Sequence, residues 1–219
     1  MINIEDRTFV YPGQLIGDDI RFDSNCFAEG GKVYSAVNGL ARVKGNAVEV
    51  IPSTGRYMPK EGDVVIGVVE EFQTAGWVVD INSPYTCFMR ASELNKNSDR
   101  RVDEKEYAPG EVISAKVLTV NEVNDSNLTR PWKLDGGCII NIDPKRVPRV
   151  IGKKRSMLDM IKEKTRSNIV VGQNGRIWIK GENVDFIVKV MRKIEAEAQT
   201  SGLTDRISGM LDEYQAKEV

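Results

Sequence analysis

The sequence predicts a multidomain chain: a small N-terminal antiparallel β-domain, a β-barrel in the middle and a C-terminal α+β domain. Three observations carry this reading. Up to about residue 60, apolar residues recur near period two, with turns every six to ten residues. From Val64 the chain strings short β-branched and aromatic runs together, with a glycine inside the first run. Beyond Pro144 the apolar spacing becomes helical, is interrupted by one hairpin, and becomes helical again. The boundaries read from these changes are 1–58, 59–128 and 129–219.

Composition narrows the function classes. The 219 residues allow two or three small domains, and 41% hydrophobic with 29% charged residues describes a chain that folds. No apolar run is long enough for a membrane span, and the first residues do not form a secretory signal. Cys26, Cys87 and Cys138 lie far apart with no CxxC, which suits a reducing, cytoplasmic setting and offers no zinc knuckle. The sequence has no histidine, which removes His-based general-base chemistry and most catalytic zinc sites. Net charge is -1, so nucleic-acid binding requires a local patch. One exists: from Pro144 to Arg166 nine Lys or Arg face only Asp159 and Glu163. Such a run is often just a solvated face; here it surrounds a tight turn, which favours binding.

In the first domain, Phe9 to Gly13 is an extended stretch ending in a Pro-Gly turn. Asp23 to Gly30 reads as a polar loop. Lys32 to Val37, Leu40 to Val43 and Ala47 to Ile51 read as strands joined by Asn38-Gly39 and Gly45-Asn46. Tyr11 and Phe27 are expected in a core or an interface.

In the second domain, the strands are Val64 to Phe72, Gly76 to Ile81, Tyr85 to Met89, Pro109 to Val117 and Leu118 to Val123. Ala91 to Leu94 is a helical turn, Lys96 to Glu106 a solvated loop, and Asn124 to Asn127 a turn. Five short strands with an early glycine kink describe an OB-type barrel. Phe72, Trp77, Tyr85 and Phe88 are possible base-stacking platforms, although alternation also allows Trp77, Val79 and Ile81 to form a core face. Phe72, Phe88, Arg90 and Lys116 are the RNA-contact candidates here.

In the third domain, Thr129 to Gly137 reads as a linker and Cys138 to Ile142 as a strand. A short helix begins at Pro144, with Pro148 limiting its length. Ser156 is an expected N-cap for Met157 to Lys164, with Met157, Leu158 and Ile161 on the buried side. Ile169 to Val171 and Arg176 to Lys180 form a hairpin across Gly172-Gln-Asn-Gly175. Helices at about 183–200 and 205–215 follow. Helix, basic turn, helix, strand, turn, strand, helix is the outline of a KH module, which clamps single-stranded nucleic acid with a G-x-x-G loop. The matching turn is Gly152-Lys-Lys-Arg155, whose fourth residue is arginine. Arginine adopts a glycine-like backbone only at a cost, yet its guanidinium can bind phosphate. Lys153, Lys154, Arg155, Arg149 and Gly152 are the RNA-contact candidates here. Gly172, Asn174 and Gly175 are expected to build and pack the module without touching RNA, and Trp178 to sit in the core or at a domain interface.

Five phrases carry two resemblances. Gly62-Asp-Val-Val-Ile-Gly67, Trp77-Val-Val-Asp-Ile81 and Pro109-Gly-Glu-Val-Ile-Ser-Ala-Lys-Val117 resemble an S1-type RNA-binding domain. Pro148-Arg-Val-Ile-Gly152 and Gly172-Gln-Asn-Gly175 before Ile177-Trp-Ile179 resemble the archaeal exosome cap subunits that carry S1 and KH domains. The resemblance covers essentially the whole chain. It implies a non-catalytic, RNA-binding subunit without cofactor or metal, three copies of which sit on a hexameric ring of RNase PH-like subunits. It further implies that the S1 domains line an entry pore, that the N-terminal domain holds the ring, and that RNA is fed to phosphorolytic 3′→5′ sites. The sister cap subunit has a zinc ribbon, for which this chain lacks the cysteines. The alternatives are a stand-alone S1/KH factor in translation or transcription, and a nuclease. The second would need a carboxylate cluster, and Asp80, Asp125 and Asp143 are scattered.

Overall fold

The computed structural model describes residues 1–23, 25–94, 106–198 and 200–218. Most of the charge-dense stretch expected as a loop at 96–106 therefore lies outside the described residues. The chain divides into two compact units, 1–55 and 56–219.

The first unit contains seven short strands: β1 (Phe9–Val10), β2 (Leu15–Asp18), β3 (Arg21–Phe22), β4 (Cys26–Glu29), β5 (Lys32–Ser35), β6 (Gly39–Lys44) and β7 (Ala47–Pro52). They form two sheets, ordered β1-β6-β7-β3 and β2-β5-β4. All pairs are antiparallel except β3–β7. Alternation puts Ile16, Val33, Ala41, Val48 and Val50 into a small core. The polar stretch 23–30, expected as a loop, instead contains β4, because Cys26 to Glu29 pairs in full with β5. Tyr11 and Phe27 are exposed rather than in this core.

The second unit begins with β8 (Val64–Gln73), β9 (Gly76–Asp80), β10 (Cys87–Arg90), α1 (Ala91–Leu94), β11 (Val112–Val120) and β12 (Ser126–Lys133). The five strands close into a barrel in the order β10-β12-β11-β8-β9, with β10 and β12 parallel. This is the expected OB arrangement. Gly67 is needed for close approach: a Cβ there would lie 2.3 Å from a Val79 methyl. The register shift in β8 falls later, between Val69 and Glu71. The fifth strand is not Leu118 to Val123. β11 runs on to Val120, and the closing strand is β12, which takes in half of the stretch expected as a linker. Along Ser126 to Lys133 the buried side chains are Leu128 and the polar Ser126 and Thr129, while Trp132 is exposed, so the hydrophobic signal of this strand is weak.

The C-terminal module follows as β13 (Cys138–Asn141), a 3-10 turn at Pro144–Arg146, α2 (Val147–Ile151), α3 (Ser156–Thr165), β14 (Asn168–Val171), β15 (Arg176–Lys180), α4 (Val184–Ala196) and α5 (Leu203–Glu218). The antiparallel sheet order is β13-β15-β14, and with α2, α3 and α4 it forms the expected KH fold. Ile161, Ile177, Ile179, Ile187, Met191 and Leu211 join helices and sheet in one core. Phe186 stacks on Tyr214 at 4.0 Å, and Lys164 pairs with Asp212 at 2.5 Å, which holds α5 against α4 and α3.

Candidate nucleic-acid interface

The basic turn joins α2 to α3. Pro148 sits near the start of α2, and Gly152 ends it with φ 75 and ψ 172. Only glycine accepts that conformation readily, and a Cβ there would meet the Met157 backbone nitrogen at 2.8 Å. Lys154 (φ 52) and Arg155 (φ 67) then take left-handed conformations. Arg155 thus adopts a left-handed backbone at the position where the G-x-x-G pattern has its second glycine, at a cost of roughly 1–2 kcal/mol. It also occupies the N-cap position of α3 without a side-chain cap. Ser156, expected as the cap, is the first residue of the helix. The first amides of α3 therefore have no capping side chain, and the side chains of Lys153, Lys154 and Arg155 are exposed around them. Arg149 projects from the exposed face of α2. Helix amides and mobile cations at one turn suit a phosphate.

The second turn does something else. Gln173 donates its backbone N–H to the Val64 carbonyl (2.8 Å), and its side-chain oxygen accepts from the Val64 N–H (2.9 Å). Asn174 is fully buried. Its oxygen accepts from the Ile66 N–H (3.2 Å), and its amide nitrogen donates to the Ile66 and Ile81 carbonyls (both 2.8 Å). Arg176 pairs with Asp80 and donates to its carbonyl. The turn thus caps the barrel's first strand. Its glycines are set by close approach: a Cβ on Gly172 would lie 2.8 Å from the Ile66 nitrogen, and one on Gly175 (φ 83) 2.3 Å from the Ile142 carbonyl oxygen. Trp178 completes the joint. It is buried with Ile66 and Leu134, backed by Val112, Ile139 and Val170, and its indole N–H donates to Gly136 (2.7 Å). These residues pack against the barrel as much as within their own module. The barrel partners of Gln173, Asn174 and Arg176 lie about a hundred positions away, and spacing along the chain contains no signal for that.

On the barrel, Trp77 has no exposed surface, and its N–H donates to the Tyr107 carbonyl at 3.0 Å. The core reading of Trp77 holds. Phe72 packs edge-on against it at 5.2 Å. Phe88 is half-buried and faces outward on β10, because its neighbours Cys87 and Met89 point inward. Arg90 follows it, exposed, and Lys116 is exposed on β11. Sequence reasoning missed Trp132, the most exposed large aromatic ring described, at 74%. Its signal was available only once residues 129–133 were recognised as a strand.

Burial disfavours the thiolate at all three cysteines. Burial and the neighbouring Asp23 push Cys26 up to about 12, and burial pushes Cys87 up to about 11. Burial also raises Cys138.

Three domain families match the chain in order. Residues 7–53 match the N-terminal domain of the exosome RNA-binding protein RRP4, residues 56–125 the RRP4 S1 domain, and residues 137–185 a KH domain. The chain is 40% identical over 214 residues to the exosome complex component Rrp4 of Methanothermus fervidus, covering 94% of this chain and 96% of the relative. It is 41% identical to the Rrp4 of Pyrococcus furiosus, covering 96% and 84%. A solved structure of an exosome complex RNA-binding protein superposes with a TM-score of 0.64 at 34% identity, covering 75% of this chain and all of that one.

Proposed function

Because the chain belongs to the Rrp4 family of exosome components, we propose that it is a non-catalytic RNA-binding cap subunit that captures single-stranded RNA and guides its 3′ end toward a phosphorolytic ring. The observation that supports this best is the exposed Gly152 turn, presented by a module locked onto an OB-type barrel. A loosely tethered module would leave the two RNA-binding surfaces free to diverge. Here Asn174 and Arg176 hold them in one orientation, which suits a guide more than a mere tether.

The roles divide along the chain. Lys153, Lys154, Arg155 and Arg149 meet phosphates, while Gly152 shapes the turn. Phe88, Arg90 and Lys116 present the barrel's outer face to the strand, with Phe72 supporting Trp77 behind them. The N-terminal unit holds the ring, three copies sit on a hexamer of RNase PH-like subunits, and the assembly acts in the cytoplasm. Hydrolysis or phosphorolysis of the RNA is assigned to the partner subunits.

The deciding experiment mixes the chain with short single-stranded RNA, alone and with ring subunits. Binding without turnover by the isolated chain, and faster degradation by the loaded ring, are expected. Turnover by a clean preparation of the chain, or failure to join the ring, would overturn the proposal.

A further inference from the structure

Three clefts follow the seam between the barrel and the C-terminal module, and they share walls. The first, about 430 Å³, has Arg56, Lys60, Lys145 and Gly152 among its lining residues. It meets the second, about 340 Å³, at Ile151 and Gln173. The second meets the third, about 420 Å³, at Lys162, Ile169 and Val170. The third runs to Trp132 and Lys180. Shared lining residues thus connect the three clefts in series, from beside the Gly152 turn to the exposed indole.

Its chemistry is one-sided. The lining residues of the three clefts include seven cations, of which Lys133 is paired with Glu111 at 2.8 Å, and two carboxylates, Asp63 and Asp135, in a chain of net charge -1. Asp63 is already engaged by the Tyr57 hydroxyl at 2.7 Å. In the middle cleft, Arg155 and Lys162 are the ionisable lining residues, above an apolar floor of Ile151, Leu158 and Ile169. Lys162 makes no hydrogen bond or ion pair through its ammonium among the described residues. Burial and the charge of Arg155 hold its ammonium below the usual lysine range, while Asp159 opposes this more weakly. Two cations facing one cleft without an anion call for one. Trp132, at 74% exposure, offers a flat face at the end of the series.

Regularly spaced anions on a chain that also presents flat rings would satisfy every part of this series of clefts. A duplex would not, since its bases are stacked inside and none could reach Trp132. Building on the RNA-binding reading above, we propose that the seam is a track for single-stranded RNA. In it Lys162 and Lys180 meet phosphates and one base stacks on the Trp132 indole.

The test uses the full chain and a short oligouridylate. Trp77 and Trp178 are buried, so binding is expected to quench mainly the fluorescence of Trp132. Trp132→Ala should weaken binding roughly tenfold or more, and Trp132→Phe should restore most of it. The pair Lys162→Gln and Lys180→Gln should flatten the slope of log affinity against log salt by about 1. Trp132 lies on the barrel surface, and an unchanged unfolding midpoint would confirm that its loss leaves the fold intact. Full affinity and slope in these variants, while alanines at Lys153, Lys154 and Arg155 abolish binding, would overturn the track and leave the RNA reading standing. Loss of ring assembly with RNA binding intact would make Trp132 a protein contact and also overturn it. No RNA binding by the unaltered chain would remove both.

Discussion

Gly152-Lys-Lys-Arg155 and Gly172-Gln-Asn-Gly175 are four-residue turns in the same module, each opened by a glycine with no room for a Cβ. The first directs three cations into solvent and leaves the start of α3 without a side-chain cap. The second turns inward, and every polar group of the Asn174 amide finds a backbone partner on the barrel. A turn that spends its polar groups on the protein has none left for RNA, and a turn that keeps them free adds little to stability. The two should therefore fail in opposite ways.

The largest effect is expected for Asn174→Asp. A carboxylate has no donor for the Ile66 and Ile81 carbonyls, both buried, and the substitution should cost on the order of 4 kcal/mol. Urea unfolding would show it, with the barrel and the C-terminal module melting separately instead of together. A midpoint shift worth under about 1 kcal/mol would mean the turn is not the joint. Next comes Gly175→Ala, where positive φ and the Ile142 carbonyl together should cost roughly 3 kcal/mol in the same assay.

The basic turn should respond in affinity rather than stability. Alanines at Lys153, Lys154 and Arg155 should weaken RNA binding at least about tenfold and flatten the salt slope by about 2, with the unfolding midpoint nearly unchanged. A marked loss of stability would erase the contrast between the turns. The smallest effect is expected for Arg155→Gly. Relief of the left-handed backbone should outweigh the added freedom of the unfolded chain, giving about 0.5 kcal/mol of stability, while affinity falls slightly. A loss of stability would show that Arg155 has packing that outweighs its strain.

Reading the sequence located most elements of the barrel and the KH module because their signals are local. Alternation in Gly76 to Ile81 puts Trp77, Val79 and Ile81 on one face, and the structure buries that face. Helical spacing in the 183–200 segment puts Phe186, Ile187, Val190, Met191 and Ile194 on one side, and all but the half-buried Phe186 are buried. The errors have a common cause. β4 and β12 are held by pairing with neighbours and each buries a single apolar side chain, Cys26 and Leu128, so Cys26–Glu29 resembles a loop and Thr129–Lys133 a linker. Ser156 has the right chemistry for an N-cap, but the chain enters α3 through a left-handed Arg155 instead.

The sequence alone determined where the chain turns, which residues alternate and where positive charge accumulates, since each depends on neighbours within a few positions. The family resemblance rests on those same local phrases. Tertiary structure decided which turn faces solvent, that Asn174 belongs to the barrel as much as to its own module, and that Trp132 stands exposed at the end of a cationic seam. Those outcomes depend on surfaces about a hundred residues apart meeting: Ile66 reaches Asn174, and Asp80 reaches Arg176, only after both domains have folded. Periodicity and composition are silent about contacts at that distance, because the free energy that selects them comes from burial and hydrogen bonds between finished elements.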